Sequence, residues 1–177
     1  EWVENGVSAQ VSSWMRVPDQ AMPMRVKTTA NYNNGRLASL QASADGYDAP
    51  IMLNSRGKLS EGPGMCFAMI RDGRAIMPSV TSDILESLTR ETIIHILQND
   101  LAIEVVERDI DRSELVAADE AFFCGTAWEV TPITSIDRLL LGDGQPGPLT
   151  RQIQNLYFGI CDGSIQRHND WRLAIHL

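Results

Sequence analysis

The run MCFAMIRDGRAIMPS, from Met65 to Ser79, limits the fold more than any other stretch of this 177-residue sequence. Two apolar segments flank Asp72-Gly73, a dipeptide that suits tight hairpins because both of its residues accept positive φ. The run therefore predicts two antiparallel strands with a known point of reversal. Shorter apolar runs read the same way: APIMLN and GKLSEG, separated by Ser-Arg-Gly, and AIEVVER further on. EAFFCGTAWEVTPITSID supplies two more strands around a Gly-Thr turn.

Helical signals lie between these strands. Asn31 to Ala44 carries Tyr32, Leu37 and Leu40 near helical spacing, with Gly46 as its stop. TSDILESLTRETIIHILQND has apolar residues at 84, 85, 88, 93, 94, 96 and 97, a broad apolar face whose start is marked by SLTR. DRSE, with Asp111 as N-cap and Glu114 three positions on, has the form of a capping box. GPLTRQIQNLYFGI predicts a closing helix with Pro148 in its first turn. From Glu1 to Val26 the chain reads as an extended lead-in, interrupted by Pro18 and Pro23. The mixture of strands and helices, with no internal repeat, predicts one α/β core.

A formal charge of -8, spread along the chain and not gathered into a tail, argues against non-specific binding to nucleic acid or to an anionic membrane. No apolar run approaches the roughly 20 residues needed to span a bilayer. Cys66, Cys124 and Cys161 are odd in number and widely spaced, without a C-x-x-C or a Cys/His cluster, so they read as free thiols of a reducing cytoplasm and no metal site is expected. Small-molecule chemistry is the remaining expectation.

Four places have the residue types for such chemistry: Lys27 among small polar residues, Glu61 in SEGPG, SLTR at 87–90, and CGTA at 124–127. Taken singly each has an ordinary reading as a surface charge, a turn residue, a helix cap and a strand turn. In this order and spacing, KTTANYNNGRLA, GYDAPIMLN, SEGPG, ILESLTRETI, ADEAFFCGTAWEVTPI and GDGQPGPLTRQIQ resemble the fold-type IV pyridoxal-phosphate enzymes, and most closely the branched-chain amino-acid aminotransferases. The resemblance runs from about Arg25 to about Gln154.

That resemblance implies an α/β fold with a twisted, barrel-like sheet and surrounding helices. It implies pyridoxal 5'-phosphate as cofactor, and amino-group exchange between a branched-chain L-amino acid and 2-oxoglutarate. Lys27 falls at the family's Schiff-base lysine, a role that needs an amine partly desolvated and able to lose its proton. Glu61 falls at the carboxylate facing the pyridine nitrogen, and Tyr32 at the tyrosine bonded to the ring oxygen. Leu85 matches the apolar residue against the ring. Leu88, Thr89 and Thr126 match the phosphate donors, where a helix N-terminus favours an anion. Thr126 and Ala127 match the turn that meets the substrate carboxylate.

Met65-Cys66 and Trp128 depart from the family pattern, and Trp128 is expected to narrow the substrate pocket. D-amino-acid or (R)-amine transaminases and aminodeoxychorismate-type lyases share the lysine and glutamate and stay open as alternatives, as does a non-catalytic module that keeps the fold. Family members also carry a smaller N-terminal domain and pair as homodimers. The expectation for this chain is an interdomain linker over 1–26 and a cofactor-binding large domain over 27–177, without the small domain.

Overall fold

The computed structural model of the chain describes residues 1–173. Its centre is one mixed sheet of eight strands: β1 (Val7–Val11), β2 (Ala49–Ile51), β3 (Cys66–Arg71), β4 (Arg74–Pro78), β5 (Val105–Arg108), β6 (Glu120–Gly125), β7 (Glu129–Ile136) and β8 (Leu139–Leu140). The order is β2-β1-β7-β6-β3-β4-β5, with β8 on β7. β1 runs parallel to both β2 and β7, β4 runs parallel to β5, and the β3–β4, β3–β6 and β6–β7 pairs are antiparallel. The hairpin turn falls where the sequence places it, with Asp72 at φ 52 and Gly73 at φ 71.

The two ends of the sheet are brought round toward each other. Beyond β2, Met52 N–H donates to the Glu61 carbonyl at 3.0 Å, and Leu59 N–H donates to the Ile110 carbonyl, just past β5, at 2.9 Å. Bridges Leu53–Leu59 and Lys58–Asp111 continue the same link. The sheet is thereby barrel-like, and the family-level expectation of a twisted sheet with helices around it holds.

Alternation along β3 and β6 decides what lies on each side. Phe67, Met69, Ala121 and Phe123 point into one core with Val7, Ala9, Val11 and Ile51. Cys66, Ala68, Ile70, Phe122 and Cys124 point the other way, into a layer closed by α3 (Leu88–His95), its π-helical extension Ile96–Asp100 and α4 (Pro148–Asp162). With both faces covered, every residue of β6 is buried. Phe67, Phe122 and Phe123 are fully buried, and each such side chain contributes on the order of 1.5–3 kcal/mol over an exposed one.

One expectation is corrected here. Residues 1–26 are not simply a lead-in: Val7, Ala9 and Val11 alternate inward, and β1 sits between β2 and β7 inside the sheet. After the single turn α1 (Trp2–Asn5), the first long helix forms as α2 (Tyr32–Ala44), with Leu37 and Leu40 on its exposed side. Its inner face is Gly35, Ala38 and Ala42, because the Glu61 loop presses close; a Cβ at Gly35 would stand 2.7 Å from Pro63 Cβ. Small residues are what let helix and loop meet. The capping box at Asp111 and Glu114 is present and starts the 3₁₀ turn Arg112–Ala117.

Candidate active site

A cavity of about 360 Å³ opens at one edge of the sheet, between the start of α2, the 61–66 loop, the start of α3 and the β6–β7 turn. Lys27, Tyr32, Glu61, Leu85, Thr126 and Ala127 all line it, drawn from segments up to a hundred residues apart. Its volume lies within the range of small-molecule sites. Leu88 and Thr89 stand differently. Leu88 is 82% exposed, and the Thr89 side chain is buried on the far side of α3, in a cleft with Tyr157 and Cys161. It is Ser87, the N-cap of α3, that lines the cavity. Ser87 Oγ accepts from Arg90 N–H at 3.4 Å, while the N–H groups of the first helical residues have no intrahelical acceptor. What Leu88 and Thr89 can offer an anion is therefore backbone, not side chain.

Lys27 is held by the loop beneath it. The buried Asn31 side chain donates to the carbonyls of Pro23 at 2.9 Å and Val26 at 2.8 Å, so the turn preceding Lys27 is clamped to the start of α2. The Lys27 side chain itself is exposed, as are Thr126 and Ala127. The desolvation expected around this amine is not supplied by the described residues.

Glu61 forms the opposite, closed end. It is 3% exposed, and its position follows from the tight SEGPG turn, in which Gly62 N–H donates to the Met65 carbonyl at 2.8 Å. Its Oε1 accepts from the Arg16 guanidinium and from Leu85 N–H at 3.1 Å. Its Oε2 has the Cys66 thiol at 3.9 Å, which leaves acceptor capacity for a bound donor. Burial pushes Glu61 up to about 7 from 4.5, against the pull of Arg16 and the Leu85 N–H.

Arg16 escaped the sequence reading. It is 4% exposed, it lines the cavity, and its Nε and Nη1 have no hydrogen-bond partner among the described residues. A lone arginine in WMRV carries no local signal; only the requirement that a buried carboxylate have a cation points to it. Asn31 was likewise not singled out, and Ser87 and Cys124 were marked only as members of SLTR and CGTA, without roles of their own. Trp128 lines the cavity as expected, and it is braced from behind by Trp2, stacked at 5.3 Å, and by Phe123 at 5.5 Å.

A family model described as amino-transferase class IV matches residues 1–136. The chain is 45% identical over 171 residues to a probable branched-chain-amino-acid aminotransferase of Aquifex aeolicus, covering 97% of this chain and 55% of that protein. The crystal structure of a branched-chain amino acid aminotransferase from Thermobaculum terrenum in PLP-form superposes with a TM-score of 0.91 at 47% identity, over 93% of this chain and 54% of the other. That of the Escherichia coli branched-chain enzyme superposes with a TM-score of 0.93 at 38% identity, over 97% of this chain and 56% of the other. The chain spans about half the length of the curated relatives it matches.

Proposed function

The chain belongs to the class IV amino-transferase family, and from that premise we propose that it is the cofactor-bearing part of an enzyme that exchanges an amino group between a branched-chain L-amino acid and 2-oxoglutarate. The observation that carries the reading is the convergence of Lys27, Tyr32, Glu61, Leu85, Thr126 and Ala127 on one cavity. Similarity to branched-chain aminotransferases over nearly the whole chain supports the substrate class.

The residues present fit pyridoxal 5'-phosphate. The cavity offers a free primary amine at its rim, a buried carboxylate with an open acceptor oxygen at its closed end, and a helix N-terminus at Ser87. Arg16 adds buried N–H groups still in need of acceptors. When bound, the cofactor supplies an electron sink for the pair left behind as the amino acid loses its Cα proton. Lys27 would hold the cofactor through its amine and would carry the proton to and from the substrate carbon. Glu61, held by Arg16, would keep the proton on the cofactor's pyridine nitrogen. Tyr32 would serve as a hydrogen-bond donor to the cofactor and Leu85 as an apolar wall for it. The backbone N–H groups of Leu88 and Thr89, with Thr126, hold the phosphate against the positive end of α3. Thr126 and Ala127 orient the substrate carboxylate.

Lys27 needs a drier setting than its exposed position provides. A smaller domain outside this chain, and a second subunit of a homodimer, complete the pocket in this reading, which agrees with the chain spanning about half of its relatives. A cytoplasmic location goes with the same reading.

The test is to mix the chain with pyridoxal phosphate, reduce with borohydride and map the product. The chain has two lysines, Lys27 and Lys58, and Lys58 is engaged by Asp111 at 2.6 Å. A stable adduct on Lys27 is the expected result. An adduct on Lys58 alone, or none, refutes the assignment.

A further inference from the structure

Two cysteines in the cavity have no part in the chemistry described so far. Cys66 on β3 and Cys124 on β6 are direct partners across an antiparallel pair, and both line the cavity. Both side chains fall on the helix-facing side of the sheet, in the same buried cluster. We propose that Cys66 and Cys124 are a paired-thiol modification site at the closed end of the cavity, joined into an intrachain disulfide by small hydroperoxides that enter at the Lys27 rim.

The strand register supplies the geometry. Directly opposed residues of antiparallel strands have Cα atoms about 4.5–5.5 Å apart, inside the span of about 4.4–6.8 Å that a disulfide bridges. The two sulfurs are therefore within closing range after side-chain rotation and a small strand adjustment. The open cavity mouth, with Lys27, Thr126 and Ala127 exposed, admits a molecule as small as hydrogen peroxide.

The two thiols differ in a way that orders the steps. The Cys66 thiol has acceptors for its proton: Glu61 Oε2 at 3.9 Å and the Leu85 carbonyl at 3.8 Å. The Cys124 thiol is held up, first by its contact with Cys66 and then by complete burial, so it is not the first nucleophile. Cys66 passes its proton to Glu61 and attacks one peroxide oxygen. The O–O bond breaks, leaving Cys66 as a sulfenic acid and releasing water once the proton returns. Cys124 sulfur then attacks Cys66 sulfur; the S–S bond forms, the S–O bond breaks, and a second water leaves with the Cys124 proton. Each sulfur gives up one electron and the peroxide takes both. Closure removes the only thiol that touches Glu61 Oε2 and ties β3 to β6 beside the carboxylate.

The inference does not depend on the cofactor reading, and its test needs no cofactor. The chain is treated with hydrogen peroxide, remaining thiols are alkylated, and the digest is mapped without reduction. The expected product is a linked peptide joining Cys66 to Cys124 within one chain, reversed by dithiothreitol, while the exposed Cys161 stays available for alkylation or joins separate chains. Replacing Cys161 with Ser should leave the linkage intact. In urea, where register is lost, the same treatment of the natural chain should spread linkages over all three cysteines. The proposal is overturned if the folded chain keeps both pocket thiols alkylatable under excess peroxide. It is equally overturned if Cys66 accumulates as sulfinic acid without linkage, or if folded and unfolded chains give the same pattern. A Cys124→Ala variant should accumulate sulfenic acid at Cys66, trapped by dimedone; failure of that variant to fold leaves the mapping of the natural chain as the deciding measurement.

Discussion

The closed end of the cavity and its rim are built in opposite ways. At the closed end, Glu61 and Arg16 are 3% and 4% exposed, and the carboxylate already has its guanidinium and backbone partners. At the rim, Lys27, Thr126 and Ala127 are exposed, and only the backbone beneath Lys27 is fixed, through Asn31. The groups that must hold a charge in a low-dielectric setting are preassembled by this chain, where desolvation strengthens them. Lys27, the amine proposed to react, is left exposed by the described residues. Stability is therefore concentrated at Glu61, and the covalent chemistry proposed above falls to an exposed rim.

The largest effect that tests this division is total. Lys27→Ala should eliminate the borohydride-stable cofactor adduct, while shifting the urea unfolding free energy by no more than about 0.5 kcal/mol, as exposed substitutions do. A large loss of stability would mean that the rim is structural and erase the contrast.

Arg16→Met should behave in reverse. It strands the Glu61 carboxylate in a buried site, and breaking a buried pair from one side costs about 3–5 kcal/mol. Urea melts should show this in the chain without cofactor. Replacing both partners, as Arg16→Met with Glu61→Leu, should recover much of the loss, because no buried charge then remains. A loss below about 1 kcal/mol for Arg16→Met would show that water reaches Glu61 and that the closed end is not closed.

The same division explains what could be read from sequence. Lys27, Tyr32 and Glu61 were legible because each sits in a short motif whose order carries information. The hairpin at Asp72-Gly73 and the cap at Ser87 were legible because turns and caps are local. β1 was not: VSAQV is five residues with Ser8 and Gln10 alternating outward, and its neighbours β2 and β7 are distant in sequence. Arg16 was missed for a related reason, since its partner lies 45 positions away. Helical spacing located α2 but could not say which side was inner. The answer, Gly35 with Ala38 and Ala42, depends on how closely Pro63 approaches. Long-range register also hid the pairing of Cys66 with Cys124.

A smaller effect follows from pH. Glu61 is raised by burial to about 7 from an ordinary 4.5, so between those values the folded chain binds more protons than the unfolded one. Stability contributed by this group is full below 4.5 and falls as pH rises through 7, by at most on the order of 3 kcal/mol. Glu114 has the opposite sign. Hydrogen bonds from Arg108 lower it to about 2, so its contribution is present above 4.5 and is lost as pH falls through 2. Arg108, its main partner, is 37% exposed, which keeps that contribution small. Urea midpoints of the natural chain and of Glu61→Gln, which mimics the protonated side chain at every pH, should lie nearest at pH 4.5 and draw apart toward pH 7, the natural chain falling relative to the variant. A constant gap would show that Glu61 does not take up a proton on folding.

The smallest effect expected concerns α3, where the contrast between closed end and rim becomes one between backbone and side chain. Leu88 is 82% exposed and its side chain does not line the cavity, yet its N–H lies in the first turn of a helix capped by Ser87. First-turn N–H groups have no partner within the helix and carry the positive end of its dipole. Leu88→Gln keeps that N–H, keeps a good helix former and removes only exposed apolar surface. Unfolding free energy should stay within about 0.5 kcal/mol, and the pyridoxal phosphate concentration giving half-maximal absorbance change should not move beyond measurement error. Ser87→Ala is the matched comparison, since it removes the cap and a cavity-lining hydroxyl together; caps of this kind contribute about 0.5–2 kcal/mol, and cofactor affinity should fall with it. If Leu88→Gln weakens cofactor binding as much as Ser87→Ala does, the side chain of residue 88 matters at the site, and the backbone account of anion binding at α3 is wrong.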